Sequence, residues 1–429
     1  MDMNPTSDLF GPHPDLVSRH RHLIRDLSLF KEVAPFVQHQ YPNVHKLTIR
    51  SMGIYESRRD PILLELKETF PSLVQLTLTK VALTSNFWEG LEAYSRINTL
   101  RLKDILINAD SRQAFWNVVE NLEVLEMKKT PLLDLREKMR TEIKFYRMRK
   151  LLLDRSVIAD ISLIHLITRC PMLEDLEWME YRCRSVQFHQ ALQHACWPDL
   201  KRLSTDFSLQ DVELATLLQR IGDGRGKITQ LRLALCWMET DTSAALGLHF
   251  STLVEVNLAD CHYVPSTTTW DLLCHCPRLE ILQTRGVTVK GIMAGKPWVC
   301  QRLRKLRAFF QFEESEKGLR QEIFEHLSTL TRLEELTIHN PIYQVMRGCV
   351  LKFRLKDGMG QLASLQGLTS FQFTSNLRNC HADLGMPEVE WIKNHWKKLK
   401  QVKGSLNNCD TVRYNLKVAF EEHGIAVID

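Results

Sequence analysis

CPMLEDL at residues 170–176 returns, little altered, as CPRLEIL at 276–282, 106 positions later. Two isolated copies would suggest a metal or redox motif built on the Cys-Pro. Without the Cys-Pro, the phrase has the form apolar-x-x-apolar-x-apolar, and in that form it runs the length of the chain. NVHKLTI, SLVQLTL, RINTLRL, NLEVLEM, RMRKLLL, KITQLRL, TLVEVNL, RLRKLRA and RLEELTI are further copies. Taking the second apolar residue as a marker gives Leu27, Leu47, Leu76, Leu100, Leu125, Leu151, Leu176, Leu203, Leu231, Val256, Leu282, Leu306, Leu336, Phe371 and Val402. Leucine is common, so one copy means little. Nine consecutive gaps of 24 to 28 residues, from Leu76 to Leu306, are not produced by chance.

That spacing lies in the range of roughly 20–29 residues per unit found in leucine-rich repeats. Alternation across the L-x-L portion sends its two apolar side chains to one face of a short strand and the residue between them to the other. A single unit cannot bury that apolar face, whereas stacked units can. Between the strands, ADISLIHLITRC (159–170), SLQDVELATLLQRIG (208–222) and STTTWDLLCHC (266–276) carry apolar residues at helical spacing. Asp60-Pro61 ahead of ILLELKETF is an N-cap carboxylate followed by a first-turn proline. The expected fold is therefore an α/β leucine-rich-repeat solenoid, a horseshoe with a parallel β-sheet on the concave face and helices on the convex face. About 15 divergent units fill residues 16–429 after an extended N-terminus at 1–15, and the widest gap places an irregular or inserted segment near 340–366.

The repeated Cys-Pro then marks the place where a helix ends and the chain turns into the next strand. FPSL (70–73), YPNV (41–44) and WPDL (197–200) hold the same place with an aromatic residue. A ligand or nucleophile would not interchange with Phe, Tyr and Trp, so Cys170 and Cys276 are read as buried packing residues.

The chain has 429 residues, 44% of them hydrophobic, and 56 basic against 51 acidic residues leave a net charge of +5. This is the composition of a chain with ample core material and no long-range field of the kind that dominates nucleic-acid binding. The first thirty residues hold no basic segment followed by an apolar run, and no stretch of eighteen apolar residues occurs. Eleven cysteines, all between Cys170 and Cys409, fit reduced thiols better than a disulfide framework. Cytosol or nucleus is the expected compartment, with no membrane attachment and no cofactor.

CPMLEDLEW and CPRLEIL, with RHRHLIRDLSL near the start and EVEWIKNHWKKLKQVKGSLN near the end, resemble the F-box/leucine-rich-repeat proteins, especially the large fungal set of divergent repeats reading hCPxLExLxh. The resemblance covers essentially the whole chain as a repeat pattern. It implies repeats that recognise a protein destined for ubiquitylation, docked on a cullin-based ligase through an adaptor that binds an N-terminal F-box. Residues 1–22 contain nothing of the form LPxEhhxxIhxxL, so the adaptor would be a partner only if an F-box is supplied. The alternative is a leucine-rich-repeat scaffold or inhibitor unrelated to ubiquitin.

On each L-x-L strand the middle residue and its alternates face the concave side, where a protein ligand is expected. The expected partner-binding residues there are Arg232, Asn257, Gln283, Arg285, Lys305, Arg307, Phe309, Arg101 and Lys103. Arg285, Lys305, Arg307 and Phe309 are expected to form one patch for an acidic segment, because arginine and aromatic residues concentrate in binding hot spots. The basic run REKMRTEIKFYRMRK (136–150) is interrupted by two glutamates and ends in the next strand, so nucleic acid is not the expected partner.

Chemistry finds little support. IGDGRGKIT (221–229) departs from the phosphate-binding loop at its first glycine and its final hydroxyl. The spacings among Cys183, His189, His194 and Cys196 fit no common zinc finger. With no GxSxG, HExxH or Cys-His pairing, the chain is not read as an enzyme.

Overall fold

The computed structural model describes residues 17, 19–30, 39–50, 66–81, 83, 85–130, 144–154, 166–179, 197–206, 209–223, 227–288, 296–312, 319–340, 349–375, 382–404 and 406–428. The chain divides into two compact units, residues 1–207 with 224–226 and residues 208–223 with 227–429.

In the first unit the apolar alternation of each repeat yields a short strand. These are β1 (Asp26–Phe30), β2 (Lys46–Arg50), β3 (Gln75–Thr79), β4 (Thr99–Lys103), β5 (Val124–Lys128), β6 (Lys150–Asp154), β7 (Asp175–Met179) and β8 (Arg202–Thr205). Each lies parallel to the next in sequence, and the register sets marker against marker: Leu27 opposite Leu47, Leu47 opposite Leu76, and so on to Leu176 opposite Leu203. Leu47, Leu76, Leu100, Leu125 and Leu151 are all fully enclosed. Enclosing a leucine is worth about 1.5–3 kcal/mol, and a neighbouring unit is what encloses it.

The second unit repeats the plan with β9 (Gln230–Ala234), β10 (Glu255–Asp260), β11 (Ile281–Gln283), β12 (Val287–Thr288), β13 (Lys305–Ala308), β14 (Phe310–Phe312), β15 (Glu335–Asn340), β16 (Cys349–Val350), β17 (Ser370–Ser375), β18 (Gln401–Gly404) and β19 (Ala426–Ile428). Its main sheet runs parallel through β9, β10, β11, β13, β15, β17, β18 and β19, again marker against marker. The short β12, β14 and β16 form a separate sheet in which β16 is antiparallel to β14. All 15 markers thus sit on parallel strands in register, and the chain is a leucine-rich-repeat α/β solenoid. A sixteenth strand, β19, puts Val427 opposite Val402. It lies one 25-residue period beyond Val402, so the spacing alone would have located it.

Helices and 3-10 turns return the chain from one strand to the next. Among the described residues they are α1 (Leu66–Thr69), α2 (Ser85–Glu92) and α3 (Arg112–Glu120) in the first unit, with a 3-10 turn at Ala109–Ser111. The second unit has α4 (Asp211–Asp223), α5 (Thr240–Gly247), α6 (Ser266–His275), α7 (Arg320–Ser328), α8 (Met386–His395) and α9 (Asp410–Glu421), with 3-10 turns at Leu355–Asp357 and Met359–Ser364. The helical spacing read at 208–222 and 266–276 corresponds to α4 and α6. Each helix turns its apolar stripe inward; α3 buries Phe115, Trp116, Val118 and Val119. Edge-to-face aromatic contacts link successive repeats within each unit, as from Trp88 to Phe115 (4.9 Å between ring centres) and from Phe353 to Phe371 (4.8 Å).

The Cys-Pro position behaves as its aromatic substitutes foretell. The carbonyl of Cys170 accepts the amide of Leu173 (3.3 Å) and that of Cys276 accepts Leu279 (3.2 Å). The same turn forms at Tyr41, Phe70, Trp197 and Trp396. All six side chains are buried, and burial pushes both thiols far above the usual cysteine range, so they are inert. A second recurring device joins successive repeats within each unit: the carbonyl of the residue just before one strand accepts two successive amides of the next repeat. Arg25 receives His45 and Lys46, Arg149 receives Glu174 and Asp175, and Glu280 receives Arg304 and Lys305.

The extended N-terminus at 1–15, the helix start at Asp60-Pro61, residues 159–165, residues 136–143 of the basic run, the Cys183/His189/His194/Cys196 set and 341–348 of the irregular segment lie outside the described residues.

Candidate protein-binding face

The register that buries the marker residues also lines up the side chains between them. In the second unit Arg232 lies opposite Asn257, Asn257 opposite Gln283 and Gln283 opposite Arg307. Arg307 in turn lies opposite Thr337, Thr337 opposite Gln372 and Gln372 opposite Lys403. Seven hydrogen-bonding residues therefore form one row with a strand-to-strand spacing of about 4.8 Å. Three of them are cationic and none is a carboxylate.

Next to this row Lys305 is held by Glu335 at 2.7 Å. Gln283, Lys305, Arg307, Glu335, Thr337 and Gln372 line a recess of about 320 Å³. The Nε of Arg307 is shielded from solvent and has no hydrogen-bond partner. A shielded guanidinium N–H without an acceptor is costly for the free protein, and a carboxylate or carbonyl brought to it removes that cost.

Of the expected residues, Arg232, Asn257, Gln283 and Arg307 share the row, and Lys305 adjoins it. Two others are corrected. Arg285 does not stand on the sheet face, because β11 ends at Gln283. Its guanidinium instead donates to the carbonyls of Cys261 (2.6 Å) and His262 (2.7 Å), closing the turn after β10. Phe309 is not exposed: β13 ends at Ala308, the alternation stops there, and the ring is 6% exposed beside Gly286. The four-residue patch expected of Arg285, Lys305, Arg307 and Phe309 accordingly reduces to Lys305 and Arg307.

Arg101 and Lys103 belong to the first unit. Arg101 is paired with Glu126 at 3.0 Å, and Lys103 is exposed at the end of β4. Arg101 opens a ladder of alternating charge in which Glu126 meets Lys150 (3.5 Å), Lys150 meets Asp175 (3.5 Å) and Asp175 meets Arg202 (2.7 Å). A second ladder runs beside it, from Arg149 through Glu174 to Lys201 at 2.8 Å. The two cations beside Glu174 hold its carboxyl below the usual range.

Gln372 and Lys403 are row members that were not singled out in the sequence. Each follows a marker, Phe371 or Val402, just as Arg307 follows Leu306, so the same alternation points to them. Among the described residues no group of His, Cys, Asp or Glu is placed to hold a metal ion, and no helix is long and apolar enough to cross a membrane.

No protein-family model matches the sequence, and no curated protein sequence does. Among solved structures the chain is similar to an internalin from Listeria monocytogenes, at 15% identity and a TM-score of 0.49, covering 86% of this chain and 91% of that one. It is also similar to a chain in the yeast complex of Rad7 and Elc1, at 13% identity and a TM-score of 0.44, covering 80% and 87%. A third is the ectodomain of the Arabidopsis receptor kinase HAESA, at 13% identity and a TM-score of 0.42, covering 88% and 56%. It is the chain's own register, leucine against leucine in both units, that makes it a leucine-rich-repeat solenoid.

Proposed function

We propose that the chain is a protein-interaction module whose second unit captures an acidic segment of a partner along the row from Arg232 to Lys403. The observation that carries this reading is the row's chemistry: three cations and four neutral hydrogen-bonding side chains, no carboxylate, and an Arg307 Nε with no acceptor. Guanidinium groups bind carboxylates in paired, planar contacts, and flanking amides and hydroxyls take up main-chain groups of an extended peptide.

Within that reading the partner is a substrate for a cullin-based ubiquitin ligase, as the resemblance carried by CPMLEDLEW and CPRLEIL suggests. The competing role is a scaffold or inhibitor with no link to ubiquitin. Affinity purification of the full chain, alongside an R232E/R307E variant, tests both levels. A partner retained by the natural chain and lost by the variant supports the face. Recovery of a cullin adaptor together with that partner supports the ligase role, and its absence favours the scaffold. A partner retained equally by both proteins would remove the row as the binding face.

A further inference from the structure

A second surface, away from the sheet row, has the opposite charge. Between α5 and α6 lies a groove of about 850 Å³, closed at one end by Trp237 and Tyr263. Glu239, Thr240, Ser243, Thr267, Asp271 and His275 line the rest of its polar wall, and no lysine or arginine is among the lining residues.

The backbone builds the aromatic end. Trp237 and Tyr263 are bridged in parallel, with the amide of Met238 donating to the carbonyl of Tyr263 (3.1 Å) and that of Trp237 to Leu209 (3.0 Å). Their rings stack at 6.4 Å and are 44% and 43% exposed, whereas the other described tryptophans are buried or half-buried. Large exposed aromatics fixed by main-chain bonds, at no role in the core, mark contact surfaces.

The charge decides what such a contact would hold. The amides of Glu239 (2.6 Å), Asp241 (3.0 Å) and Thr242 (3.1 Å), which would draw an anion to the start of α5, are already taken by the carboxylate of Asp211. Burial alone would raise the Asp211 carboxyl, but these bonds and the Thr242 side chain keep it below its usual range, so it stays ionised. His275 is occupied as well, stacked on Phe250 at 5.8 Å with its Nδ1 against the carbonyl of Asp271 (3.1 Å). The charged and aromatic groups that remain for a ligand are two aromatic faces and two carboxylates, that of Asp271 3.8 Å from His275 Nδ1. Aromatic faces and carboxylates together select a cation.

We infer that the α5–α6 groove is a docking site for a basic segment of a partner polypeptide, its Lys or Arg side chains seated between the Trp237–Tyr263 pair and the carboxylates of Glu239 and Asp271. This surface is independent of the acidic-segment site on the sheet row, and either can fail without the other.

The test is calorimetric titration of the full chain with hexaarginine, hexaglutamine and hexaglutamate peptides. Hexaarginine is expected to bind and hexaglutamine is not; binding of hexaglutamate belongs to the sheet row and is expected to be the same in the natural chain and in E239Q/D271N. W237A is expected to weaken hexaarginine binding about tenfold, and the near-isosteric E239Q/D271N pair, which preserves packing, by a similar factor. No binding of hexaarginine, equal binding of hexaglutamine, or binding unaltered in E239Q/D271N would each overturn the assignment.

Discussion

The sheet faces of the two units follow one geometric rule and differ in what they leave available. In the first unit the outward side chains of β4 to β8 neutralise one another, from Arg101 through Glu126, Lys150 and Asp175 to Arg202. In the second, the row from Arg232 to Lys403 holds no carboxylate, and beside it Lys305 is paired with Glu335. Strand-borne charge keeps a sheet face hydrated in either case. A partner can use only the charge that the protein has not already paired, since displacing an internal ion pair returns little net energy. The same repeat thus gives one face that completes itself and one that waits for a complement.

The largest expected effect is on that second face. Reversing Arg232 and Arg307 to Glu removes two charge-assisted contacts of about 1.5–3 kcal/mol each, so capture of an acidic partner falls at least about 100-fold in a binding assay. The melting temperature stays within error of the natural chain. A comparable fall in melting temperature would show that the two arginines serve folding.

Next comes the ladder. Asp175 is 8% exposed and bonded to both Lys150 and Arg202. D175N is expected to cost about 2 kcal/mol in chemical denaturation, between an exposed pair and a fully buried one. It also frees two cations on the first face. Weak retention of an acidic peptide by D175N/R232E/R307E, where R232E/R307E alone shows none, would confirm that internal pairing is what closes that face, whereas no gain over R232E/R307E would weaken the contrast.

Arg285 separates placement from sequence pattern. R285A leaves two turn carbonyls without their donors and is expected to destabilise the chain by about 1–2 kcal/mol while leaving partner capture intact. Lost capture at unchanged stability would restore it to the binding face.

The smallest effect is a pH dependence confined to the second unit. His249 is fully buried, with Nδ1 accepting the Ile228 amide and Nε2 donating to Leu218. Burial holds its pKa below the ordinary 6.5. The unfolded chain therefore takes up the proton first, and the stability present above about pH 6.5 declines as pH falls toward the lower native value. Thermal melts from about pH 7 to about pH 5 should show this decline, and H249N, less stable at the outset, should show less of it.

The sequence made the solenoid legible because burial repeats: each marker must meet the next, and Leu47, Leu100, Leu282 and Leu306 can be read in order without coordinates. The row Arg232–Asn257–Gln283–Arg307 was legible for the same reason, since alternation on a strand is strict. Arg285 and Phe309 were misplaced because alternation was carried past the last residue of a strand, and strand ends are set by hydrogen bonds that the pattern of side chains does not encode. The Trp237–Tyr263 groove escaped notice because its residues are far apart in sequence and come together only through the return segments, where spacing varies from unit to unit. Pairing was also invisible: nothing in the residue types tells that Arg101 meets the carboxylate of Glu126 at 3.0 Å while the row through Arg307 holds no carboxylate.

The double-amide carbonyl before each strand, with its leucine-to-leucine register, makes length a countable quantity for this chain. Removal of residues 101–125 would splice Leu100 to Glu126 and still spell an alternating strand, T-L-E-M-K, ready to take its place beside β3. Loss of a dozen residues from the same region would turn leucine outward and spoil the seam. A protein assembled in this way can grow or shrink during descent in whole periods, acquiring or shedding a row position each time, and so can change what it grips without inventing a new fold.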